Sequence, residues 1–180
     1  MLKLVTGAVV ATILVAEPVQ AQHQAQPYGT LQERPIKALS ADDIAALRAG
    51  RGMAMALPAE LNRYPGPMHV LENEAVLGLT TEQKEALGGQ VERMRAAAIA
   101  LGELIVAHEG ALEALFKSGS ADSESIDRIT GEIATLYGQL RAVHLRTHLA
   151  TRATLTDPQL AMYQKVRGYD GAERGPAHKH

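Results

Sequence analysis

The stretch LGGQVERMRAAAIALGELIVAHEGALEAL, residues 87–115, decides the fold. Its apolar positions Leu87, Val91, Met94, Ala98, Leu101, Ile105, His108, Leu112 and Leu115 recur at alternating intervals of four and three. That spacing is a heptad seam, the period of a helix that buries one stripe against another helix. A second seam follows a Ser/Gly/Asp break at residues 118–123: Ile126, Ile129, Ile133, Leu136, Leu140, Val143, Thr147 and Ala150. The two seams predict a long antiparallel helical hairpin turning near residue 120, with a first arm on the order of 50 Å long. Glycines inside the arms, Gly102 among them, predict bending or close backbone approach.

Each side of the hairpin is marked by the same short motif. Leu79-Thr80-Thr81-Glu82-Gln83 and Leu155-Thr156-Asp157-Pro158-Gln159 both read L-T-x-x-Q. Thr at the N-cap accepts from the amide three residues on, Gln reaches back to the N-cap amide, and the Leu before it supplies a hydrophobic staple. Helices are therefore expected to start at Thr81 and Asp157. Upstream, Ser40 stands three residues before Asp43 and caps a short helix ending near Gly50 or Gly52. Residues 57–67 carry Pro58, Pro65, Gly66 and Pro67 and read as an irregular connection. Pro67 then opens a helix over 68–77.

Lys3, an apolar run from Leu4 to Ala16 and the small-x-small site Val19-Gln20-Ala21 read as an export signal over residues 1–21. The run is too short to span a bilayer and Glu17-Pro18 closes it, so a periplasmic protein without stable membrane insertion is expected. Residues 22–39 read as a flexible segment, 40–169 as the helical domain, and 170–180 as a disordered tail.

Composition narrows the function. A net charge of −2 leaves no basic footprint for nucleic acid. Cys 0 removes disulfides, thiolate nucleophiles and cysteine metal sites. Aromatic content of 3% disfavours a β-rich fold. No G-x-S-x-G elbow or glycine-rich phosphate loop occurs, so no enzyme is expected.

Metal chemistry has more support. His144 and His148 form an H-x-x-x-H pair on one helical face, a spacing that lets two imidazoles share one zinc, copper or nickel ion. With the turn near residue 120, His148 faces Glu92 and His144 faces Ala96; if the preceding helix folds back at Gly78-Leu79, His69 reaches the same level with Glu72 beside it. The candidate ligands are thus His69, Glu72, Glu92, His144 and His148. The other reading has His144 and His148 as polar residues flanking the seam, solvated or bonded to Glu92. Met53, Met55 and Met68 are further soft donors for Cu(I). His108 is followed by Glu109, but Leu112 stands where an H-E-x-x-H metalloprotease needs its second His, and a core histidine with a local partner is expected. Leu104, Phe116 and Tyr137 fall off the seam and would line an apolar face for clients or a second protomer.

The export signal, the all-helical chain and the two L-T-x-x-Q motifs together resemble the Spy/CpxP family over roughly Asp42 to Tyr169. The resemblance implies an all-α, four-helix, hairpin-like elongated bundle, often paired into a cradle-shaped homodimer, and no enzymatic activity. Members of that family either hold unfolded client proteins without ATP or bind transition metals in heavy-metal sensing and resistance; a membrane-bound sensor is a further possible partner.

Overall fold

The computed structural model describes residues 28–169. The readings of residues 1–21 as an export signal and of 170–180 as a tail lie outside the described residues. The chain divides between Gln32 and Glu33 into two units; of the first, the described part is one 3-10 turn, Gly29–Leu31.

The second unit is all-α, with seven helices among the described residues: α1 (Ala41–Arg48), α2 (Leu57–Glu60), α3 (Pro67–Glu72), α4 (Glu74–Leu77), α5 (Thr81–Ser118), α6 (Ser123–Thr154) and α7 (Asp157–Val166). Helices α5 and α6 are the expected hairpin, and at 1.5 Å per residue the 38 residues of α5 extend about 57 Å. Glu132 stands opposite His108, and Thr151 opposite Gln90, which is the register set by a turn near residue 120. Gly119, at φ +70°, ends α5, and an Asp122/Ser125 capping box starts α6. Among the described residues no helix is long and apolar enough to cross a membrane.

Two apolar clusters hold the shorter helices on this hairpin. Leu39 and Leu47 pack with Ala98, Ile105, Val106 and Leu140, placing α1 across the middle of the arms. That approach needs Gly102, where a Cβ would run into the backbone carbonyl of Leu47. Val70, Leu77, Leu87, Leu155, Leu160 and Tyr163 form the second cluster, where α3, α4 and α7 gather around the two L-T-x-x-Q motifs.

Both motifs form full capping boxes, with α5 starting at Thr81 and α7 at Asp157. They also meet. The Gln83 amide nitrogen donates to Gln159 Oε1 and the Gln159 amide nitrogen donates to Gln83 Oε1, each at 2.9 Å. Gln83 Nε2 also reaches the Thr154 carbonyl at 2.9 Å, and Gln159 Nε2 the Gly78 carbonyl at 3.4 Å. One side chain therefore caps its own helix through its oxygen and ties the other helix through its nitrogen. Glutamate could do the first and not the second.

Three local expectations change. The connection over 57–67 contains one helical turn, α2, because Pro58 sits in its first turn and costs no hydrogen bond there. The single helix expected over 68–77 is broken at Asn73, whose side chain donates to the His69 carbonyl at 2.8 Å and whose backbone leaves helical values. His108 continues the seam yet is part-exposed: its Nδ1 pairs with the Leu104 carbonyl at 2.8 Å and its Nε2 reaches across to Glu132 on α6 at 3.3 Å. Where the sequence carries no apolar period before Ser40, Ile36 packs against the first cluster, Leu39 is buried, and Lys37 pairs with Glu113 at 2.6 Å.

A histidine-lined cavity as the candidate functional site

Between the two clusters the packing opens into a cavity of about 540 Å³. Four pieces of chain wall it. Helix α5 contributes Val91, Met94 and Arg95, and α6 contributes His144 and His148, each set at the i, i+3, i+4 spacings that share a helix face. The loop after α1 supplies Ala49 to Gly52, and the start of α3 supplies Gly66 to His69. Among the described residues no Asp or Glu lines it.

Three of the five candidate ligands, His69, His144 and His148, therefore share one cavity. Glu92 and Glu72 do not line it. Glu92 stands at the level the hairpin register requires, but one residue past Val91 rotates it about 100° away from the face that Val91, Met94 and Arg95 share, and it is exposed. Glu72 turns outward and accepts from His69 Nδ1 at 3.0 Å. Among the methionines named from sequence, Met68 lines the cavity, Met55 packs against the first cluster and Met53 is exposed; Met94, a seam residue by period, also lines the cavity. Among the described residues no three His, Asp or Glu side chains are gathered closely enough to hold a metal ion as they stand.

The two α6 histidines differ. His148 Nδ1 contacts the Tyr64 carbonyl at 2.7 Å, which only an N–H can satisfy, so its lone pair is on Nε2. His144 is 3% exposed and its Nε2 has no hydrogen-bond partner. Burial, with a smaller effect from His148, pushes its pKa below the ordinary imidazole value and keeps the ring neutral. Two glycines keep space in front of these rings. A Cβ at Gly52 would stand 3.7 Å from His144 Nδ1, and one at Gly66 only 3.2 Å from His148 Nε2.

Beneath the cavity lies a buried carboxylate that periodicity could not show. Glu60, 7% exposed, accepts the Gly66 amide at 2.9 Å, the Tyr163 hydroxyl at 2.5 Å and the Tyr169 hydroxyl at 3.2 Å, with Arg167 Nε at 3.7 Å and His148 Nδ1 at 3.9 Å. Burial and then the bond to Glu60 raise the pKa of Tyr163 far above the ordinary tyrosine range, so it remains a donor. Glu60 thus ties the loop carrying Tyr64 and Gly66 to α7. A charged residue between prolines offers no local signal for this; the nearest hint is Tyr163, an apolar-face residue of α7 with a hydroxyl to satisfy.

Comparison of the chain with protein-family models, with curated proteins and with solved structures returns no match.

Proposed function

We propose that this is a non-catalytic binding protein whose cavity takes up a transition-metal ion, with His144 and His148 as the primary ligands. One observation carries the reading: three imidazoles and two thioethers, Met68 and Met94, line a single cavity that contains no carboxylate. The fit is to a particular kind of ion. Neutral nitrogen and thioether donors suit a soft, low-charge ion such as Cu(I), whereas a closed four-ligand zinc site or a carboxylate-containing nickel site would need Glu72 or Glu92 turned inward. His148 supports the role, since an N–H held by a backbone carbonyl fixes the tautomer and ring direction that a metal ligand needs. His144, neutral and without a hydrogen bond at Nε2, needs no proton removed before it can ligate. This reading agrees with the metal-binding branch of the Spy/CpxP resemblance and with a periplasmic location, which stay proposals with it.

The test is competition for Cu(I) against a colorimetric chelator, with direct calorimetric titration of Zn²⁺ and Ni²⁺, on the wild type and on His144→Ala/His148→Ala. One ion per chain, with affinity falling at least about tenfold in the double variant, is the expected result. Equal binding by the variant, or none by the wild type, overturns the site.

Client holding is the second reading, and a specific observation favours it. Leu104 and Phe116 on α5 are 47% and 60% exposed, although Tyr137 packs against the first cluster. Metal-free protein that suppresses aggregation of a denatured client, and loses that effect in Leu104→Ser/Phe116→Ser, would put this reading first. Light scattering on the same pair of proteins tests the proposed homodimer.

A further inference from the structure

We propose that the same cavity binds a small organic monoanion, an apolar body ending in a single carboxylate or sulfonate, and does so without a metal ion. The size is that of a small-molecule site: about 540 Å³ lies inside the range of roughly 300–1,000 Å³ in which such ligands are enclosed. Apolar surface dominates the walls, with Val91, Met94 and Pro67 available to cover a hydrocarbon or aromatic body.

The charged residues select the sign of the ligand. Arg51 and Arg95 both line the cavity, neither forms an ion pair among the described residues, and no carboxylate lines the cavity to offset them. An organic cation would find no carboxylate partner in that lining, whereas a carboxylate or sulfonate fits the guanidinium fork of donors. The buried polar group points the same way. Among the described residues His144 Nε2 has no hydrogen-bond partner, and on the other side of the ring Gly52, with no side chain, leaves room beside Nδ1. A buried ring left without partners is costly unless a bound molecule supplies one. The inference goes beyond metal uptake, because it rests on the arginines and apolar walls and requires no ion.

The experiment uses the purified chain in excess EDTA. The probe is 8-anilinonaphthalene-1-sulfonate, an aromatic monoanion whose emission rises in apolar surroundings, read without interference because the chain has no tryptophan. Bound dye is then displaced by octanoate or by octan-1-ol, which share a chain length and differ in charge. Octanoate is expected to displace the dye at concentrations at least about tenfold lower than the alcohol, a difference of about 1.4 kcal/mol. Arg51→Gln/Arg95→Gln is expected to remove that preference while the circular dichroism spectrum and melting temperature stay unchanged, since both side chains are exposed. Direct calorimetric titration of octanoate covers the case in which the dye fails to enter. Equal displacement by acid and alcohol, a preference that survives in the arginine variant, or no octanoate heat overturns the proposal. So does a preference that appears only when metal is restored, which would make the anion part of the ion's coordination; metal uptake itself is judged by the separate histidine variant.

Discussion

The capping-motif end, where α5 meets α7, and the histidine cavity beside it, walled by α5 and α6, follow opposite rules. At the motif end each polar atom of Gln83 and Gln159 has a partner, and the buried atoms without one, Gln164 Nε2 and Arg167 Nε, lie at the other end of α7. Among the described residues, His144 Nε2 is buried in the cavity without a hydrogen bond, Arg51 and Arg95 form no ion pair, and Gly52 and Gly66 hold space open. Satisfied polar groups in a closed core stabilise; unsatisfied ones around a void lower stability and persist where something else uses them. The contrast is the one the proposed binding role requires: stability from the motifs, open space and unpaired groups at the cavity.

The largest effect should come from breaking the motif end. Gln83→Glu/Gln159→Glu keeps both capping acceptors but removes both cross-helix donors and sets two carboxylates against each other. The expected loss is on the order of 2–4 kcal/mol, a fall of roughly 10 °C in melting temperature. Thermal unfolding followed by circular dichroism checks it, and a fall of less than about 2 °C would mean the amide pair contributes nothing.

The cavity should respond with the opposite sign. His144→Leu replaces an unsatisfied buried ring by an apolar side chain of similar bulk, so stability should stay level or rise by about 0.5–1 kcal/mol while binding to the cavity is lost. A loss of 2 kcal/mol or more in the same unfolding measurement would show that His144 is a satisfied structural residue and would erase the contrast between the two regions.

The difference in rules also explains how far the sequence could be read. Helix starts at Thr81 and Asp157, the α1 cap at Ser40 and the hairpin register follow from patterns three or four residues long, and each appears where the pattern puts it. The pairing of Gln83 with Gln159 joins residues 76 apart, and no capping pattern encodes it. The cavity is harder still. His144 and His148 are legible as a pair and His69 through the fold-back, but Arg51 and Gly52 enter from the loop after α1, and Gly66 from a loop that Glu60 ties to Tyr163 across 103 positions. Glu92 shows the limit well: register gives its level along the hairpin, whereas its facing follows from which side of α5 the α1 loop and α3 cover.

The smallest effect separates the kinds of cap. Helix α1, whose following loop walls the cavity, is capped through a carboxylate: Asp43 accepts from the Ser40 amide at 2.9 Å and from its hydroxyl at 2.6 Å. Those bonds favour the ionised form and hold the Asp43 pKa below the ordinary 3.8. A depressed carboxylate contributes its full stabilisation above the unfolded-state pKa and loses it as pH falls through that value toward the folded one. The α5 and α7 caps use neutral glutamines at the same position, although at α5 the neighbouring Glu82 bonds Thr80 and its pKa is also held low, so α7 is the reference. Acidification from pH 6 to pH 3 should therefore lower hydrogen-exchange protection in α1 before it lowers protection at the start of α7. Because the cap is exposed, the change should be a few tenths of a kcal/mol. Asp43→Asn keeps an acceptor for the Ser40 amide without a charge, so in that variant the α1 difference between the two pH values should vanish. Equal acid sensitivity at the starts of α1 and α7 would show that the carboxylate cap does not make the cavity wall pH-sensitive.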